Sequence, residues 1–157
     1  MDIRYAQEKD YRQLAEMKWL HCEEDDIDYH EHNLEGVDKE CFISGFISFL
    51  QEHGEYRIFV ADDCGVVACA MFVYLVPKTP RPNGKAKYIA YLTNVYTREE
   101  YRSQTIGTQV LNHIKAYLTD IRCELIFAWP SDNSTKWYAR NGFCQENEVF
   151  ECGLTLD

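Results

Sequence analysis

No apolar run in this sequence approaches the roughly 20 residues that a helix needs to cross a bilayer, so no membrane partner is expected. The opening residues, MDIRYAQEKD, carry charge where a secretory signal carries an apolar stretch, and the expected location is the cytoplasm. Basic residues are scarce: 16 Lys and Arg face 26 Asp and Glu, for a formal net charge of -10. Such a surface repels a phosphate backbone, which argues against nucleic acid as a partner. It would attract a cationic substrate, or simply keep the chain soluble. No Cys-x-x-Cys pair occurs among the seven cysteines, so they read as reduced thiols, several of them buried as small hydrophobes. No repeat, low-complexity tract or linker divides the 157 residues, and residues 1–157 are expected to form one domain with a real core.

What is present is a mixed pattern. Ile3 to Ala6 reads as a first strand. Asp10 is placed to cap a helix with Leu14, Met17 and Leu20 to Cys22 on one face. The stretch Glu23-Glu24-Asp25-Asp26-Ile27-Asp28 is too charged for core. Phe42, Phe46, Phe49 and Leu50 predict a second helix over about 38–52. Arg57 to Ala61 and Val66 to Val76 flank the turn residues Asp62 to Gly65 and predict a hairpin. A loop rich in proline, 77–87, leads to a strand at Tyr88 to Tyr96. Ile106, Val110, Ile114 and Leu118 then recur every four residues and predict a helix over 105–118. Leu125 to Ala128 reads as a short buried strand and Ser134 to Arg140 as a short helix. The tail from Phe143 to Leu156 alternates as one or two last strands would. An antiparallel first part followed by a parallel strand–helix–strand crossover makes this an α/β chain.

The sharpest feature lies where the strand ending at Tyr96 runs through a polar turn into a helix. Free backbone N–H groups at a helix start form an anion site, reinforced by the helix dipole. Gly107 lets a diphosphate approach the backbone closely, Arg102 adds charge, and Ser103, Thr105 and Thr108 add hydroxyls. An ordinary strand-to-helix turn would look much the same.

This segment resembles the acyl-CoA pyrophosphate loop of the GNAT superfamily, with its pattern Arg/Gln-x-x-Gly-x-Gly/Ala. Arg102 and Gly107 match it, and Thr105 stands where the first glycine would be. A threonine is compatible there if its backbone is already helical. A second stretch, Trp137-Tyr138-Ala139-Arg140-Asn141-Gly142-Phe143, is similar to the end of the same superfamily's domain, where a short helix carries a tyrosine before a Gly-Phe turn. The order of elements agrees over nearly the whole chain. The resemblance implies a mixed central sheet of about six to seven strands flanked by about four helices.

It also implies a chemistry. Acyl-CoA, most often acetyl-CoA, would be the co-substrate, and a primary amine would attack its carbonyl directly. Tyr138 would be the general acid that protonates the leaving thiolate; a phenol with pKa near 10 suits that task. Cofactor contacts would come from the backbone of Val95 and Thr97, from the loop residues Arg102, Ser103, Gln104, Thr105, Ile106, Gly107 and Thr108, and from Asn133. Asn133 lies five residues ahead of the tyrosine rather than the usual seven, and it could equally cap the helix. Some relatives place a glutamate on the central strand as base. None occurs from Tyr88 to Tyr96, so a water held by Tyr91, Thr93 or Asn94, or a carboxylate of 23–31, would take that role. In the superfamily the stretch between the first two helices walls the acceptor site, and its acidity here points to a cationic acceptor; a solvated charge run is the other meaning of such a patch. A homodimer is a further expectation of the resemblance.

His21, His30 and His32 lie close to Cys22 and several carboxylates, but no four-ligand spacing emerges and no metal is expected. Two alternatives stand beside the enzyme: a non-catalytic acyl-CoA sensor or interaction domain of the same fold, and an interaction module that binds no CoA.

Overall fold

A computed structural model describes residues 1–145 and 149–154. Its strands are β1 (Asp2–Tyr5), β2 (Tyr56–Asp63), β3 (Val66–Pro77), β4 (Tyr88–Thr97) and β5 (Cys123–Phe127). Its helices are α1 (Tyr11–Tyr29), α2 (Lys39–Glu52), α3 (Ile106–Asp120) and α4 (Thr135–Arg140), with single 3-10 turns at Glu8–Asp10, Glu99–Tyr101 and Asp132–Ser134. The sheet runs in chain order from β1 to β5. The first four strands are antiparallel, and β5 lies parallel to β4 after the α3 crossover.

The alternating strands feed two cores. Phe59, Cys69, Met71, Val73, Ala90 and Leu92 face α3, meeting Ile106, Val110, Leu111, Ile114 and Leu118. Val60, Ala70, Phe72 and Tyr96 face the other way, against Leu14, Met17 and Leu50. The four-residue spacing of α3 is thus its buried stripe. The β2–β3 hairpin needs only Cys64 and Gly65 for its loop, both at positive φ (52° and 96°), the backbone that a tight hairpin demands.

The sequence is outrun in three places. Helix α1 does not stop near Cys22 but continues to Tyr29, and the acidic stretch is its last two turns. Partners within α1, just beyond it and on β4 hold those carboxylates: Glu23 accepts from Trp19 Nε1 (2.7 Å), Asp26 from the N–H groups of His32, Asn33 and Leu34, and Glu24 from the Tyr96 hydroxyl (2.7 Å). Asp10 does occupy the N-cap of α1, yet its carboxylate points inward to Arg4 and to the Gln7 N–H. Among the described residues five strands stand where six to seven were expected. Residues 143–145 and 149–154 form no strand, and 146–148 and 155–157 lie outside the described residues. Strand β5, expected to be buried, therefore has no outer neighbour among the described residues, and Leu125 is 37% exposed.

Two irregularities open the sheet. Across β3 and β4, Ala70 pairs with Tyr96 and Phe72 with Thr93, so an extra residue of β4 faces Met71. This bulge contains Asn94 at φ 46°. On the other side, pairing of β4 with β5 ends at Tyr91 and Phe127. Beyond that point no strand lies on the β5 side of β4 among the described residues.

Candidate active site

Where β4 and β5 part, a cleft of about 950 Å³ opens. Its floor is β4 from Tyr91 to Thr97, and its far wall is the loop and first turn of α3. Helix α1 closes one side with His21, Glu24, Asp25 and Asp28; Trp129 to Ser134 and α4 close the other. The volume is that of a small-molecule site.

The start of α3 is built as an anion cradle. The first-turn N–H groups of Ile106, Gly107 and Thr108 have no carbonyl one turn back, and the first intrahelical bond runs from Gln109 N–H to the Thr105 carbonyl (3.0 Å). Ser103 and Thr105 both sit at φ 61°. Thr105 is therefore left-handed, not helical as its tolerance in place of glycine required. It bears strain that glycine would not, and Gln109 Nε2 donates to its hydroxyl at 3.2 Å. Gly107 faces the cleft: a Cβ there would lie 3.5 Å from Trp137 Cζ2 and 3.6 Å from Thr97 Oγ1.

Most residues singled out in the sequence meet here. Val95, Thr97, Arg102, Ser103, Thr105, Ile106, Gly107, Thr108, Asn133 and Tyr138 all line the cleft. Gln104 does not; its amide turns back to the Glu100 carbonyl (3.1 Å). Asn133 is engaged across the cleft, where its Nδ2 donates to Asp28 Oδ2 at 2.9 Å. Arg102 is engaged too. Its Nη2 donates to both oxygens of Glu24 (2.7 and 2.8 Å), its Nε donates to the Thr97 carbonyl (3.0 Å), and its guanidinium lies 5.4 Å from the centre of the Tyr96 ring. Sequence reasoning placed Glu24 in the acidic wall but missed this link, because nothing local joins residues 78 positions apart.

Tyr138 is buried to 8% exposure, wedged at right angles between Trp137 and Phe143. Burial, with Tyr91 nearby, pushes its phenol up to about 12, so it holds its proton across the physiological range. No described residue hydrogen-bonds its hydroxyl. Trp137 also lines the cleft, whereas Trp19 packs on Phe42 with centroids 5.6 Å apart.

The acidic wall carries its own pairs. Asp25 lies 3.7 Å from His21 Nε2 and 3.4 Å from His32 Nε2, and donor atoms of Asp25, Glu31 and His32 come within 4.8 Å of one another. Burial lowers the His21 pKa despite Asp25. The cysteines are free, and burial raises the thiols of Cys22 and Cys69, the latter to about 11, so neither is a poised nucleophile. Among the described residues no helix is long and apolar enough to cross a membrane.

A mixed sheet splayed beside a helix N-terminus, with a buried phenol opposite, defines an acyltransferase-like architecture. The acetyltransferase (GNAT) family model matches residues 5–143, and the chain belongs to that family of N-acetyltransferase enzymes. Solved structures share the fold. A predicted acetyltransferase from Clostridium acetobutylicum, solved with acetyl-CoA, is 17% identical, with 97% of this chain and 95% of that one covered at a TM-score of 0.72. A GCN5-related N-acetyltransferase from Ralstonia eutropha is 16% identical, with coverage of 96% and 97% and a TM-score of 0.71. Glucosamine-6-phosphate N-acetyltransferase from Arabidopsis thaliana is 16% identical, with coverage of 99% and 98% and a TM-score of 0.65. No curated protein matches the sequence.

Proposed function

We propose that this enzyme transfers an acetyl group from acetyl-CoA to the primary amine of a cationic acceptor, by direct attack and with Tyr138 as general acid. One observation carries the reading: the Tyr138 phenol, the free first-turn N–H groups of α3 and the unpaired side of β4 all border one cleft. The N–H groups would hold the diphosphate. The pantetheine arm would run along β4 as a partial strand, bonding the backbone of Val95 and Thr97. An N–H near Val95 would polarise the carbonyl oxygen.

The amine nitrogen, once deprotonated, attacks the carbonyl carbon. Collapse of the tetrahedral adduct breaks the C–S bond and leaves a thiolate, which takes the Tyr138 proton. A phenol near 12 gives up its proton reluctantly to a thiolate of ordinary basicity, whose acid has a pKa of about 8.5. The same burial that raises the phenol raises the thiol, which narrows the gap. The amide product carries no charge, and the phenolate regains its proton from the one the amine releases. The acidic face of α1 favours an acceptor that arrives positively charged.

The test is a thermal-shift titration with acetyl-CoA, CoA and dephospho-CoA, followed by an amine screen. Saturating acetyl-CoA at about a thousandfold excess over Kd should add about 4 kcal/mol of stability. No shift with any of the three would sink the acyltransferase reading. A shift without turnover on any amine would leave an acyl-CoA sensor.

A further inference from the structure

Arg102 and Glu24 belong to opposite halves of the cleft. Arg102 opens the diphosphate loop, and Glu24 stands on the acceptor-side helix. The two are joined through Arg102 Nη2, while Arg102 Nε occupies the Thr97 carbonyl. Both side chains are about 40% exposed, at 41% and 39%, so the pair is accessible from the cleft and replaceable. Other carboxylates of the wall have different partners: Asp25 faces His21 and His32, and Asp28 accepts from the neutral amide of Asn133. Glu24 alone among these three has a cofactor-loop residue as its counter-ion.

From this we infer that Glu24 is the binding carboxylate for the acceptor's ammonium group, masked by Arg102 until CoA arrives. The inference rests on the CoA-binding reading above. A diphosphate bound at the α3 N-terminus offers Arg102 two negative charges in place of one. When Arg102 turns to it, two groups are uncovered together: the Thr97 carbonyl, for the pantetheine arm, and the Glu24 carboxylate, for the amine. The Tyr96 hydroxyl still donates to Glu24 Oε1 at 2.7 Å and keeps it facing the cleft. CoA binding thus creates the cationic site, and the two substrates bind with positive coupling.

Glu24 must then compete with CoA for Arg102, and removing it must tighten CoA. The experiment is calorimetric titration of CoA into the wild type, Glu24→Gln, Arg102→Gln, the double variant and Glu23→Gln, each checked by circular dichroism. Glu24→Gln should lower the CoA Kd about three- to fivefold, the range of a half-exposed ion pair. In the Arg102→Gln background it should change Kd by less than about 1.5-fold. Glu23→Gln, which removes the same charge one residue away, should leave Kd alone. An unchanged or raised Kd in Glu24→Gln overturns the inference, as does a gain that persists without Arg102. A wild type that binds no CoA would instead overturn the acyltransferase reading itself.

Discussion

Asn133 Nδ2 donates to Asp28 Oδ2 at 2.9 Å, and the Asn133 N–H reaches the Tyr29 hydroxyl at 3.1 Å, so the loop before α4 is tied to the end of α1. Asp28 and Asn133 are exposed and Tyr29 is half-buried, so the tie adds little to global stability. Asn133→Ala combined with Tyr29→Phe should cost less than about 1 kcal/mol. Amide hydrogen exchange over 129–134 should nonetheless speed up several-fold, with α3 unchanged. Equal protection in the variant would show that the tie does not hold the loop.

Tyr138→Phe keeps the ring that fills the space between Trp137 and Phe143 and deletes only the hydroxyl. It should lower kcat by about 10²- to 10³-fold, leave the CoA Kd within twofold, and leave the melting temperature unmoved. A normal kcat in a folded variant would remove Tyr138 from the chemistry.

Thr105→Gly relieves a left-handed residue at φ 61°. The strain relieved is about 1–2 kcal/mol, and the entropy that glycine loses on folding takes back about 0.5–1. The variant should gain roughly 0.5–1 kcal/mol, or about 2–4 °C in Tm per kcal/mol. A lower Tm would mean that the Gln109 bond to the threonine hydroxyl outweighs the strain.

Gly107 separates folding from binding. A Cβ there meets only ordinary contacts, the nearest at 3.5 Å, so Gly107→Ala should fold as well or better, by up to about 1 kcal/mol in a helix. It should bind CoA within a few-fold of the wild type. Gly107→Val sends its branches toward Trp137 and Thr97 and should weaken CoA by more than tenfold. Equal binding by both variants would place the ligand elsewhere.

Arg4 bonds Asp10, buried to 2% exposure, and Asp62. Burial by itself would raise the Asp10 carboxyl, but Arg4 and the Gln7 N–H outweigh it and hold it below its ordinary range; Asp62 is lowered by Arg4 first and the Gly65 N–H second. Arg4→Met strands a buried carboxylate and should cost roughly 3 kcal/mol at pH 7. The unfolded chains titrate alike, so the wild type's advantage is complete above the Asp10 value of the variant, which burial without Arg4 raises, and it fades as pH falls from there through the lowered wild-type values. Urea melts of the two proteins from pH 7 to pH 3 should converge at the acid end.

The parts legible in the sequence were those whose cause is local. The α3 stripe, the Cys64-Gly65 turn, the loop after β4 and the tyrosine before Gly142-Phe143 each follow from neighbours a few positions apart. What escaped has distant causes. Helix α1 survives its acidic turns because Tyr96 and Arg102 reach Glu24 from the far side of the chain. Thr105 is left-handed because the loop around it fixes its backbone, not because threonine prefers it.

The bulge at Asn94 decides which wall Tyr96 belongs to. Ala90 and Leu92 face α3, and strict alternation would send residue 96 the same way. One extra residue reverses the parity: Val95 packs toward α3, and Tyr96 emerges on the α1 side, where its hydroxyl finds Glu24. The chemistry of the acceptor wall is in this sense a matter of counting. Deleting Asn94 would change no charge, yet it would turn the far end of the strand inside out and leave Glu24 without its phenol.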